Sequence, residues 1–163
     1  MGELILSIAQ GNAKAVDEIN SILGKAMGKV AKVYVRNIED AADAVQESFC
    51  KIVEKAYTFR ENKNPCAWIY TIVKNTAKDF LRDNIRRSKI VYEQEPYYVP
   101  DDNTLILREA FQVLTEKELD LITYTFWFDM SLFEISRATR IPKSTVKYRL
   151  DKALLKLRKF LEK

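Results

Sequence analysis

The residue types best suited to chemistry fall in three short stretches. Asp40, Asp43 and Glu47 recur at three- and four-residue steps, which sets three carboxylates along one side of a helix. Such a row suits an acidic docking surface, and carboxylates also bind the divalent cations used in nucleic-acid cleavage. All three share one helix and the chain contains no His, so docking outweighs metal chemistry and no metal site is expected. Between Asn64 and Arg87, Trp68, Tyr70 and Phe80 alternate with Lys74, Lys78, Arg82, Arg86 and Arg87. Aromatic faces beside a cationic groove hold single-stranded nucleic acid, and Asn75 and Thr76 offer an amide and a hydroxyl to a base edge. Most of the aromatic series follows core spacing, so the polar face is the expected site. Near the end of the chain, Lys143 to Lys152 sets Ser144, Lys147, Tyr148, Asp151 and Lys152 on one helix face. Val146, Leu150, Ala153, Leu154 and Leu157 fall on the opposite face. Exposed Lys, Tyr and Ser side chains near a helix start suit base edges in a major groove, with Lys143, Arg149 and Lys156 within reach of phosphates. Cys50 and Cys66 form no CxxC pair, so neither a zinc site nor a Cys–His nucleophile is expected. Nothing in the sequence calls for a cofactor or for catalysis by this chain.

The elements that must position these residues read as helices throughout. From Asn12 to Arg36, Val16, Ile19, Leu23, Ala26, Val30 and Val33 recur with helical period. From Glu39 to Tyr57 the apolar face is expected to hold Ala42, Val45, Phe49, Ile52, Val53 and Ala56. A polar break, Thr58 to Asn64, precedes Pro65, which suits the first turn of a helix because its missing N–H costs nothing there. That helix is expected to reach about Arg87. Thr115-x-x-Glu118 and Ser131-x-x-Glu134 are capping-box patterns, predicting helix starts near residues 116 and 132. A break at Arg140-Ile141-Pro142 separates the second of these from a last helix opening at Pro142 or Ser144. A capped short helix, a tight turn and a second helix make a helix-turn-helix.

Charge divides the chain. Residues 137–163 hold ten Lys and Arg against two acids, and residues 74–89 hold six against two. Between them the stretch from Ser88 to Asn103 is acidic, carries Pro96 and Pro100, and loses periodicity. The expectation is an all-α protein of two small helical domains, residues 1–90 and 104–163, joined by a linker at 91–103. With 47% hydrophobic and 31% charged residues the composition is globular, and the net charge of +4 agrees with an acidic partner. The N-terminal MGELILSIAQ has no basic region ahead of its short apolar run, so it is not read as a signal peptide. No run approaches membrane-spanning length. A cytoplasmic protein with reduced thiols is expected, with no regulatory domain after Lys163.

Three stretches in this order resemble the sigma-70 family of RNA polymerase sigma factors, and its extracytoplasmic-function group in particular. DAVQESF, Asp43 to Phe49, is similar to the helix that binds core polymerase, which implies that role for Asp40, Asp43, Gln46, Glu47 and Phe49. NPCAWIYTIVKNTAKDFLR, Asn64 to Arg82, is similar to the helix that melts and reads the minus-ten element. It implies DNA contacts for Asn75, Thr76, Lys78, Asp79 and Arg82, and for Arg86 and Arg87 just beyond. LTEKELDLI, SLFEIS and IPKSTVKYRLDKALLKLRKFL resemble the minus-thirty-five-reading domain, with Lys143, Ser144, Thr145, Lys147, Tyr148, Arg149 and Lys152 as its DNA-binding residues. Several positions depart from the usual pattern: Thr115 where Pro is frequent, Leu119 for Arg, Asp129 for Gly, Tyr148 for a small residue and Lys152 for Arg. The resemblance implies core RNA polymerase and promoter DNA as partners, an anti-sigma factor of the kind such proteins often have, and no catalytic group. Rival readings are a helix-turn-helix regulator acting without polymerase, which leaves the first two stretches idle, and a metal-dependent nuclease using Asp40, Asp43 and Glu47. A purely structural helical adaptor is a third, and it predicts no salt-sensitive affinity for DNA.

Overall fold

The computed structural model describes residues 1–35, 37–88 and 102–162. Among these there is no strand; the helices are α1 (Gly2–Ala9), α2 (Lys14–Tyr34), α3 (Ile38–Lys55), α4 (Pro65–Ser88), α5 (Asp102–Gln112), α6 (Glu116–Phe126), α7 (Leu132–Thr139) and α8 (Lys143–Leu161), with a 3-10 turn at Ala56–Thr58. The chain divides into two compact units, Met1–Tyr98 and Val99–Lys163. Most of the acidic connector lies outside the described residues. Its end does not: α5 opens at Asp102, inside the span assigned to the linker.

The N-terminal unit is a bundle of α2, α3 and α4 with α1 laid against it. Gly11, at φ 90°, turns the chain after α1, and the Asn12 side chain then accepts from Lys14 N–H at 3.2 Å. Asn37 caps α3 by accepting from Glu39 N–H at 2.8 Å, and Glu39 and Asp40 in the first turn oppose the helix dipole favourably. Asn64 caps α4 through Ala67 N–H at 2.9 Å, one residue ahead of Pro65. The core is built on Ile5, Ile19, Met27, Val30, Ile52, Ile69, Tyr70 and Val73, all essentially buried. Beside it Ala31, Val35, Ala41, Ala44 and Ala77 form a cluster of mostly small side chains, with Tyr34, Val45 and Phe80 packed around it.

The apolar face expected for α3 is met only in part: Ile52 and Ala56 are buried and Val45 and Phe49 half-buried, but the buried stripe also takes in smaller side chains. Ala41, Ala44, Ser48 and Ile52 are buried, whereas Ala42 and Val53 are exposed. Ser48 is accommodated inside because its hydroxyl donates to the Ala44 carbonyl at 2.6 Å, so the buried polar group is satisfied.

In the C-terminal unit both capping boxes form, at Thr115 for α6 and Ser131 for α7. Asp129 (φ 49°) and Arg140 (φ 58°) adopt left-handed backbone at the turns before and after α7. Asp is one of the few side chains that tolerates this well, as expected for the position where glycine is frequent. The unit closes over Leu121, Ile122, Tyr124, Phe128, Met130, Ile135, Val146, Leu150 and Ala153.

Candidate nucleic-acid interface

The helix-turn-helix is made by α7 and α8. Ser136 Oγ donates to the Ile141 carbonyl at 2.7 Å across the turn, and α7 is anchored inward by Ile135. On α8, Val146, Leu150 and Ala153 are buried. Lys143, Ser144, Lys147, Tyr148, Arg149, Asp151 and Lys152 are exposed and Thr145 is half-buried. Tyr148 is 66% exposed, a large ring held off the core on a face otherwise rich in cations. Leu154, expected on the inner face, is exposed instead. It lies about 80° round the helix from Val146, outside the stripe that the unit covers.

Lys156 does not project freely as expected for a phosphate contact. Its ammonium donates to Glu118 Oε2 at 2.7 Å. Burial pushes the Glu118 carboxyl up, but bonds from Lys156 and Thr115 outweigh it, so its pKa lies below the usual 4.5. The Glu134 carboxyl is likewise lowered, by bonds from the Ser131 hydroxyl and backbone. On the outer side of α7, Arg137 lies over the exposed Phe133 ring at 5.9 Å, a cation–π pair that the sequence reading passed over.

In the N-terminal unit, α4 brings only part of its expected set to the surface. Asn75, Arg82 and Arg86 are exposed and Lys78 half-buried, with the Lys78 ammonium 5.8 Å from the Tyr34 ring centroid. Thr76 is a correction. It is buried, with its hydroxyl donating to the Ile72 carbonyl at 2.9 Å, because it falls on the stripe shared by Val73 and Ala77. Asp79 pairs with Arg82 and lies 3.8 Å from Lys51, so it orders neighbouring cations. The Arg87 side chain lies outside the described residues. Trp68 packs edge-on against Phe59, centroids 5.5 Å apart, and Tyr70 is buried, so these rings serve the core. Tyr57, in the turn before the Thr58–Asn64 segment, is 74% exposed.

On α3, Asp43, Gln46 and Glu47 are exposed side by side and Phe49 is half-buried. Glu47 lies 3.7 Å from Lys51. Asp40 is half-buried, and its carboxylate accepts from Asn84 Nδ2 at 2.8 Å, tying α3 to α4. Among the described residues no group of three or more His, Cys, Asp or Glu is placed to hold a metal ion, and no helix is long and apolar enough to cross a membrane.

A helix-turn-helix with a cationic outer face in one unit, and a bundle with a basic helix surface in the other, define a DNA-binding protein of two units. Residues 24–87 match the family model for sigma-70 region 2, and residues 110–159 match that for sigma-70 region 4. The chain is 33% identical over 139 residues to the RNA polymerase sigma factor SigV of Bacillus subtilis, covering 80% of this chain and 81% of that one. It is 35% identical over 86 residues to the ECF RNA polymerase sigma-E factor of Haemophilus influenzae, covering 52% of this chain and 44% of the other. In fold it is similar to CnrH, solved in complex with the cytosolic domain of CnrY, with a TM-score of 0.73 at 20% identity, covering 99% and 96% of the two chains. It is also similar to the sigma factor RpoE of Bartonella quintana, solved with the anti-sigma factor NepR, with a TM-score of 0.63 at 20% identity over 90% and 95%. The chain belongs to the sigma-70 family of RNA polymerase sigma factors, within its extracytoplasmic-function group. Proteins of this family bind core RNA polymerase and promoter DNA.

Proposed function

We propose that this sigma factor reads the two promoter elements with separate units. The α8 face carrying Lys143, Ser144, Lys147, Tyr148, Arg149 and Lys152 enters the major groove of the upstream element as duplex. The N-terminal unit docks on core polymerase through Asp43, Gln46 and Glu47, with Phe49 beneath them. Asn75, Lys78, Arg82, Arg86 and the Thr58–Pro65 loop then engage the downstream element as its strands part. Extruding a base costs a few kcal/mol of unstacking, which a pocket for that base offsets. The chemistry of RNA synthesis stays with the polymerase, so the chain acts in the cytoplasm without a catalytic group or cofactor. The NepR complex of a structural neighbour supports an anti-sigma factor as a further partner.

The observation that carries this reading is the two-sidedness of α8. Val146, Leu150 and Ala153 are buried while Lys147, Tyr148 and Lys152 project outward, so the packed side fixes which side chains meet DNA. Lys147 can donate to guanine O6 or N7, and Tyr148 can pack on a thymine methyl. One good base contact discriminates by about 1–3 kcal/mol. Promoter selection from a randomised upstream element, using holoenzyme, tests it. Lys147→Ala and Tyr148→Ala should each reshape the selected sequence, whereas Lys159→Ala, further along the helix, should lower yield from all sequences alike. A selected sequence indifferent to both of the first two substitutions would refute the assignment. A helix-turn-helix regulator working without polymerase would bind the same DNA yet give no transcript with purified core.

A further inference from the structure

Apolar packing settles which face of a helix turns inward, but where the packed stripe is short it opposes small rolls about the helix axis weakly, because burial itself has no direction. The buried stripe of α8 is short. After Val146, Leu150 and Ala153 it thins to half-buried Leu157 and Phe160, and Leu161 is exposed. Lys156 lies about 80° round the helix from Val146, on the flank of the stripe. From there its ammonium reaches Glu118 Oε2 at 2.7 Å. The same oxygen accepts from the Thr115 backbone N–H at 2.8 Å and from its hydroxyl at 3.0 Å. The Glu118 side chain is 12% exposed and that of Lys156 35%. A carboxylate fixed by the start of α6 therefore grips α8 at its edge, where leverage against rotation is greatest.

We propose that Glu118 and Lys156 are positioning residues for promoter reading: their clasp sets the rotation of α8, and so decides which of its outward side chains reach base edges. The inference rests on the reading of α8 as the groove helix. Lys152 lies one turn before Lys156 on the same flank, about 40° away, so a small roll of α8 carries Lys152 toward or away from the groove. Tyr148 and Lys147 move with it. Neither clasp residue touches a base. Their influence passes through the orientation of residues that do, and it differs from a phosphate contact, which acts on every sequence equally.

The test compares holoenzymes carrying Lys156→Met, Glu118→Gln, Lys156→Arg and Lys147→Ala, in promoter selection from a randomised upstream element and in salt titration of promoter affinity. Lys156→Met should flatten upstream-base preference by about tenfold, the discrimination of one good base contact, and Glu118→Gln, which keeps an accepting carbonyl but loses the carboxylate charge, should flatten it by a smaller factor. Lys156→Arg, which keeps the charge and the bond, should restore it. The salt slope should stay unchanged in all three. Glu118→Gln keeps a carbonyl able to cap α6, and helical content by far-UV circular dichroism identifies any variant that fails to fold; should Lys156→Met fail, Glu118→Gln carries the comparison. Uniform loss of affinity in Lys156→Met, with a salt slope lower by about one and wild-type behaviour in Glu118→Gln, would overturn the clasp in favour of a phosphate contact. Unchanged preference in both clasp variants overturns it too. If Lys147→Ala also leaves preference unchanged, the groove assignment of α8 fails; if Lys147→Ala alters it, only the clasp does.

Discussion

Ile135 is the one buried residue of α7, and it is fully enclosed at 0% exposure. The apolar anchoring of α7, and with it the placement of the turn into α8, therefore rests largely on this side chain. Truncating a buried Ile to Ala costs about 2–5 kcal/mol, and to Val about 0.5–1.5 kcal/mol. A unit spanning Val99–Lys163 has a total stability of about 3–10 kcal/mol at typical per-residue values. Ile135→Ala thus removes a large share of it, whereas Ile135→Val should leave the unit folded. At about 4–8 °C per kcal/mol for a domain of this size, the Val variant should melt about 2–12 °C lower. The two tryptophans allow each unit to be followed separately, since Trp68 lies in the first and Trp127 in the second. In a Trp68→Phe background, Trp127 fluorescence should report the full shift on heating. In a Trp127→Phe background, Trp68 should report almost none. With core polymerase, Ile135→Ala should reduce transcription to the level given by a promoter lacking its upstream element. Equal shifts at both tryptophans, or an unmoved Trp127 transition, would refute the reasoning that Ile135 anchors one unit alone.

Replacing Asp43 and Glu47 with Lys should weaken holoenzyme formation at least tenfold in a binding titration, at unchanged helical content, because both side chains are exposed. Asp40→Ala should instead cost about 1–3 kcal/mol of stability through the lost Asn84 bond, with polymerase affinity little changed per folded molecule. Asn75→Ala should impair open-complex formation more than closed-complex binding, seen as lost permanganate reactivity near the start site; a defect confined to the closed complex would count against base capture. The C-terminal unit should lose stability on acidification. Glu118 and Glu134 both titrate lower when folded than the usual 4.5, so their contribution is complete above that value and is lost as pH falls through their folded pKa values. Denaturant midpoints read at Trp127 between pH 7 and pH 3 should show this, with Glu118→Gln and Glu134→Gln reducing the slope.

How much of this was legible in the sequence depended on how each residue reaches its place. The capping boxes at Thr115 and Ser131 were read directly, because a cap is local and its pattern spans four residues. The faces of α8 were also legible where large aliphatics meet cations; Leu154 misled, since hydrophobicity alone does not say how wide a stripe the neighbours cover. The buried face of α3 was legible only in part because it takes in Ala41, Ala44 and Ser48. Small side chains carry little amphipathic signal, and a serine that bonds its own helix backbone looks polar in sequence yet sits inside. Thr76 deceived in the same way. α1 went unassigned because eight residues give too few turns for periodicity. The bonds from Asn84 to Asp40 and from Lys156 to Glu118 span 44 and 38 positions, and no local pattern announces either.

The left-handed residues bracketing α7 bear on how this protein can change over time. Asp129 and Arg140 each redirect the chain within a single residue, so the eight residues of α7 form a spacer of fixed length. Adding or deleting one residue would rotate everything beyond it by about 100° and detach Ile135 from its socket. Substitutions on the outer face of α8 carry no such penalty. The lineage is therefore free to drift in which promoters it favours through point replacements, while insertions and deletions between residues 129 and 140 should be purged. Grafting a foreign α8 onto this unit is practicable for the same reason, provided the join falls after Arg140 and the graft keeps a basic residue at the position of Lys156.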